Sequence, residues 1–175
     1  PLGLLRLQVP GLHNVYNALA AAAVGLDLEL PFPGIREGLE ELTGVDRRFQ
    51  VRGREAGVTV IDDYGHHPSE IRATLAAARH CDFRRIHVLL QPHRYTRTHH
   101  LFDALTRAFN RADVLLVTDV YPAGEKAIAG ATSERLVAAI RAHGHRDVSH
   151  VPDRANLAAA VAERAEAGDI VITLG

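Results

Sequence analysis

Short apolar runs alternate with amphipathic stretches over most of the chain. Residues 86–90, 114–118 and 170–174 are nearly continuous apolar runs of strand length, and 148–151 is a shorter one. Between them apolar residues recur at helical spacing. Ile71, Leu75 and Ala78 share one helix that opens at Pro68, and Leu101, Leu105, Ala108 and Phe109 share another. Leu136 and Ile140 mark a helix starting after Ser133 and ending near Gly144. Leu157, Val161 and Ala165 mark one capped by Asp153 and stopped by Gly168. Apolar strands alternating with helices predict an α/β fold, a mostly parallel sheet with helices on both faces.

The first third reads differently. Residues 4–9 alternate enough to predict a strand, turned by Pro10-Gly11. Residues 14–26 are Ala-rich and predict a helix with Leu19, Ala22, Ala23 and Leu26 on one face. Pro31-Phe32-Pro33-Gly34 should break it. Ile35, Leu39 and Leu42 predict a short helix with Glu37, Glu40 and Glu41 outside. Thr43-Gly44-Val45-Asp46 is the expected boundary, before a hairpin of 49–54 and 58–62 around Glu55-Ala56-Gly57.

Composition narrows the classes. Of 175 residues 47% are hydrophobic and 23% charged, which predicts a packed core rather than disorder. The formal net charge of −1 gives no field for nucleic acid or an anionic membrane. The single cysteine, Cys81, cannot form an internal disulfide and reads as inert. With no apolar run of about 18 residues and no signal-peptide pattern, a cytoplasmic protein without membrane partners is expected. The chain opens on Pro1 and stops within its last apolar run, so both ends are expected to be cuts in a longer protein. It contains no Gly-Lys-Ser/Thr phosphate loop, so by itself it is not a complete nucleotidase of that kind.

Polar chemistry collects at four places. Three follow expected strands and should share the carboxyl edge of a parallel sheet: 62–67, 91–98 and 119–125. The fourth, 11–17, is at a helix start. Asp62 reads equally as a turn acid or a functional one, and Asp63 is the stronger candidate because it should sit past the strand. The adjacent His66 and His67 invite a metal. A metal-dependent phosphoesterase using Asp62, Asp63, His66, His67 and His93 is one alternative, although neighbouring side chains face different ways on most backbones. Arg94 and Arg97 fall at a helix start, where cations oppose the dipole. Unpaired by nearby acids, they predict an anionic ligand, with a carboxylate matching the guanidinium fork; a solvated helix start is the plainer reading. Asn14 and Asn17 are three apart and can project from one face, where an amide pairs with an adenine edge; the plainer reading is a cap and an exposed turn. Arg47-Arg48 reads as a surface pair or a phosphate clamp. Tyr121 and Pro122 read equally as loop packing or site. A non-catalytic small-molecule-binding module also stays open.

Five stretches in order resemble the Mur ligase family: Gly11-x-His13-Asn14-x-x-Asn17-Ala18, Gly44-Val45-Asp46-Arg47-Arg48-Phe49, Asp62-Asp63-Tyr64-Gly65-His66-His67-Pro68, Gln91-Pro92-His93-Arg94-Tyr95-Thr96-Arg97-Thr98 and Asp119-Val120-Tyr121-Pro122-Ala123-Gly124-Glu125. The resemblance covers nearly the whole chain. It implies a three-domain protein, with 1–46 the end of a central ATP-binding domain and 47–175 most of a Rossmann-like carboxyl-terminal domain that binds the amino acid. The 91–98 stretch resembles the alanine-adding branch more than the branch that recycles a muramyl tripeptide. The activity implied is ligation of L-alanine to the carboxylate of UDP-N-acetylmuramate through an acyl phosphate, using ATP and Mg2+, in peptidoglycan precursor synthesis. The phosphate loop, the Mg2+ ligands and the UDP site are expected upstream, with no metal ligand in this chain. His13, Asn14, Asn17, Arg48 and Asp63 would contact ATP. Tyr64, His66, His93, Arg94 and Arg97 would form the L-alanine pocket. Arg48, Asp63 and His66 would be catalytic. The family continues into a further loop where this sequence stops, and the chain alone is expected to fold without catalysing.

Overall fold

A computed structural model describes residues 2–175. Its centre is a six-stranded sheet: β1 (Gln50–Glu55), β2 (Val58–Asp63), β3 (Ile86–Leu90), β4 (Val114–Val117), β5 (Val148–His150) and β6 (Ile170–Leu174), in spatial order β1-β2-β6-β3-β4-β5. Only β1 runs antiparallel, as the outer strand of the expected hairpin. The hairpin turn takes positive φ at both Ala56 (48°) and Gly57 (79°), the mirror-image turn whose twist suits a two-residue loop.

Alternation along each strand divides the core. Ile170, Ile172 and Leu174 of β6, with Ile86, Val88 and Leu90 of β3, face one side. There they meet Ile71 and Leu75 of α3 (Pro68–Arg79), Leu105 of α5 (Phe102–Thr106) and Leu136 and Ile140 of α6 (Ser133–Ala142). The other side is thinner: Val114, Leu116 and Val171 pack on Leu157 and Val161 of α7 (Leu157–Ala162).

Several expectations are corrected. The helix expected through Leu101 to Phe109 is two short pieces, α4 (Tyr95–His100) and α5, interrupted at Leu101 (φ −103°, ψ 12°); Ala108 and Phe109 lie beyond it, still buried. Regular α-helix in α7 ends at Ala162, ahead of Ala165 and of Gly168, and Asp153 instead caps a short 3-10 turn at Arg154–Asn156. The Ala-rich helix ends at Asp27, ahead of Pro31-Phe32-Pro33-Gly34; Pro31 then caps α2 (Phe32–Glu41) and the other three residues begin it, because proline is tolerated in a first turn. Residues 4–9 form no strand. No strand of the described residues pairs with them, and a strand exists only when its backbone groups find a neighbouring ladder. The segment is held instead by Glu40, which accepts from the Arg6 N–H (2.9 Å) and, through its carbonyl, from the Gln8 side chain (2.7 Å).

Candidate functional site

Register shows that the polar strand ends form one row. Asp63 pairs with Leu174, Leu174 with Leu90, Leu90 with Val117, and Val117 with His150. Parallel strands ending level place the loops after β2, β3 and β4 along one edge, as expected.

At the β2 end the loop is fixed by two acids. Asp63 is buried, and its Oδ1 accepts from the Gly65 N–H (2.7 Å) and its Oδ2 from the Phe49 N–H (2.9 Å). The chain folds back so closely that a Cβ on Gly65 would stand 2.7 Å from Asp63 Oδ1, which only glycine avoids. Asp63 is thus the last residue of β2, not past it, and its first duty is to join the 44–49 linker to the loop. Asp62 accepts from Arg47 Nε (3.1 Å) and the Thr173 hydroxyl (2.8 Å). Arg47 also reaches the Gly175 carbonyl and lies over the Tyr64 ring (4.8 Å), so the adjacent arginines divide: Arg47 ties the linker down and Arg48 lines a cleft.

The two histidines divide as well. His67 is the N-cap of α3, its Nδ1 accepting from the Ser69 N–H at 3.3 Å. Glu70 completes a capping box by accepting from the His66 and His67 N–H groups, both at 3.1 Å. Burial alone would raise the Glu70 carboxyl. Those two N–H groups, with the charges of His66 and Arg48, outweigh it and hold the group below its ordinary value. His66 instead donates from Nδ1 to the Tyr64 carbonyl (2.9 Å) and stands edge-on to the Tyr64 ring. The five residues of the phosphoesterase alternative therefore do not converge, and no three His, Cys, Asp or Glu among the described residues form a metal-holding group.

A cleft of about 490 Å3 between the helical segment and the sheet edge is lined by His13, Asn14, Asn17, Arg48 and Asp63 together. Asn14 and Asn17 come from the start of α1 (Leu12–Asp27), three residues apart on one face. The Asn14 amide donates to the Pro10 carbonyl (2.7 Å), and its oxygen lies 3.5 Å from Asn17 Nδ2. Asn17 keeps its own carbonyl and a second N–H for a ligand. Glu70 and Thr74 share the cleft wall. Neither was singled out from sequence, although the three-residue step from His67 to Glu70 is capping-box spacing.

Beyond β6, a small depression brings together His66, His93 and Arg97. Arg97 approaches the His93 carbonyl (3.3 Å) and Nδ1 (3.5 Å), with no carboxylate partner among the described residues. Burial, then the charges of Arg97, Arg94 and His66, push the His93 imidazole below its ordinary value. Tyr64 touches the group through His66. Arg94 does not join it. Contrary to expectation it is paired with an acid, Glu125 at 3.4 Å, which arrives from a loop 31 residues away and so was invisible to local spacing.

Residues 47–175 match the family model described as Mur ligase, glutamate ligase domain. A UDP-N-acetylmuramate–L-alanine ligase of Solibacter usitatus is 58% identical across 99% of this chain, and one of Myxococcus xanthus is 54% identical over the same share. The chain spans 37% of the length of each. The crystal structure of a UDP-N-acetylmuramate-alanine ligase from Thermotoga maritima superposes with a TM-score of 0.78 at 30% identity, over 98% of this chain and 36% of that one. With its parallel sheet, level strand ends and linker contacts, the chain belongs to the Mur ligase family.

Proposed function

We propose that this chain is part of an ATP-dependent, ADP-forming ligase that joins L-alanine to the carboxylate of UDP-N-acetylmuramate in peptidoglycan precursor synthesis. The observation that carries the reading is a pair of half-sites on one sheet edge. One is lined by all five nucleotide candidates; the other gathers His66, His93 and Arg97. The alanine-ligase relatives supply the substrate identities and favour that branch over tripeptide recycling. In this reading residues 1–46 end the central ATP-binding domain and 47–175 form the amino-acid-binding domain, supported by a family match that starts at Arg47. The reading places the protein in the cytoplasm, without nucleic-acid or membrane partners. No helix of the described residues is long and apolar enough to cross a membrane.

The geometry supports the following roles. Asn17, steadied by Asn14, presents an amide edge to adenine, with His13 alongside. Arg48 faces the phosphates. Asp63 orders the linker and loop between the two half-sites, its remaining lone pairs turned to the nucleotide. Arg97, with no carboxylate partner among the described residues, takes that of L-alanine. Burial and the neighbouring arginines hold His93 below its ordinary value, which favours a lone pair beside the amine over a repelling charge, and His66 and Tyr64 close that side. ATP phosphorylates the muramate carboxylate, and the L-alanine amine attacks the acyl carbon. The tetrahedral intermediate expels phosphate to leave an amide, a reaction governed by positioning and charge stabilisation. Mg2+ neutralises phosphate charge when bound; its ligands are assigned to the rest of the protein.

The full-length protein should release ADP only when UDP-N-acetylmuramate and L-alanine are both present. Preference for a muramyl tripeptide would move it to the recycling branch, and ADP release indifferent to either substrate would end the ligase reading.

A further inference from the structure

Glu125 lines neither half-site, yet it ties together two of the loops that frame them. It reaches from the loop after β4 to the turn after β3. Its Oε2 accepts from the Thr96 N–H (3.0 Å), its Oε1 from the Thr96 hydroxyl (2.8 Å), and Oε1 also pairs with Arg94 (3.4 Å). The Thr96 N–H, then its hydroxyl, hold the Glu125 carboxyl below its ordinary value against the opposing effect of burial, with Arg94 adding to them.

What it clamps is strained. Arg94 has φ 74° and ψ 135°, a region non-glycine residues rarely enter and keep only when their surroundings impose it. The same two loops are joined by the backbone: Tyr121 N–H donates to the Pro92 carbonyl (2.8 Å) and Arg94 N–H to the Tyr121 carbonyl (2.8 Å). The Tyr121 ring leans on His93 with centroids 5.3 Å apart. His93 and Arg97 flank this turn on either side, and Arg97 projects from the helix it starts.

We propose that Glu125 is a positioning residue for the amine substrate: it fixes the Arg94 turn so that His93 and Arg97 converge, and by occupying Arg94 it leaves Arg97 as the guanidinium that meets the substrate carboxylate. The substrate class this geometry suits is an amino acid with one carboxylate. The inference rests on the assignment of Arg97 under the proposed function.

The test is a set of variants of the full-length protein. Glu125→Ala should raise KM for L-alanine about tenfold or more while KM for ATP changes less than about twofold, because a displaced turn misaims the groups on it. Glu125→Gln keeps an acceptor for the Thr96 N–H and should recover part of the loss. Hydrogen exchange needs no substrate: Glu125→Ala should speed exchange at residues 96–98 and leave α6 unchanged. An unmoved L-alanine KM, equal rises for L-alanine and ATP, or unchanged exchange at 96–98 would each overturn the proposal. Arg97→Ala separates the two readings. If it leaves the L-alanine KM unmoved, the carboxylate assignment of Arg97 fails. If it raises that KM and Glu125→Ala does not, only the role of Glu125 fails.

Discussion

At the scale of single residues, neighbours in sequence part company according to what their backbone groups require. Arg48 and His66 face the half-sites, whereas Arg47 and His67 are consumed by a latch and a cap. Arg94 and Arg97 separate in the same way, since among the described residues only Arg94 meets a carboxylate. In the full-length protein Arg97→Ala should therefore cost roughly 2–5 kcal/mol of L-alanine binding, read as a rise in its KM far above that for ATP. Arg94→Ala should raise it less. Glu70 gives a pH prediction. Its folded pKa lies below the ordinary 4.5, so its contribution to stability is fully present above that value and lost as pH falls through the folded one. The gap in melting temperature between wild type and Glu70→Gln should thus be full near neutrality and narrow below about pH 4.5. A constant gap would show that the capping carboxylate is not the cause.

At the scale of elements, the hairpin and its turn were legible because Gly57 follows an apolar-poor strand and precedes an apolar one. The turn residue itself is less than ideal. Ala56 sits at φ 48°, where asparagine is preferred, so Ala56→Asn should stabilise the fold by about 0.5 kcal/mol, seen as a higher melting temperature. Gly57 is different: a Cβ there would lie 2.8 Å from the Ala167 Cβ, and its carbonyl accepts from the Gly168 N–H. Gly57→Ala should cost about 1 kcal/mol or more by thermal melting, since both strain and contact oppose it. The α4–α5 interruption was not legible. Nothing in the apolar spacing marks Leu101 as the break.

At the scale of the whole molecule, the two hydrophobic clusters draw only on residues from Phe49 onward. Of α1 only Ala18 and Gly25 are buried, and Leu19 and Leu26, which share one face, stay open beside an apolar groove of about 680 Å3. A chain cut to 47–175 should accordingly unfold in one cooperative transition, its melting temperature within a few degrees of that of 1–175 because no cluster residue is lost. A collapse of the transition would mean that α1 supports the sheet. From Gln50 onward the order of strands, the parallel sheet and the shared edge of the site were legible in the sequence. Apolar periodicity and the capping and turn residues act over a few positions, and they leave few topologies for strands separated by helices. Only the folded chain shows that residues 4–9 join no strand of the described residues, that Asp63 reaches across to the Phe49 N–H, and that Glu125 neutralises Arg94. The Phe49–Asp63 bond spans 14 residues and the Arg94–Glu125 pair 31, and electrostatic and hydrogen-bond pairing at that distance leaves no local pattern to read.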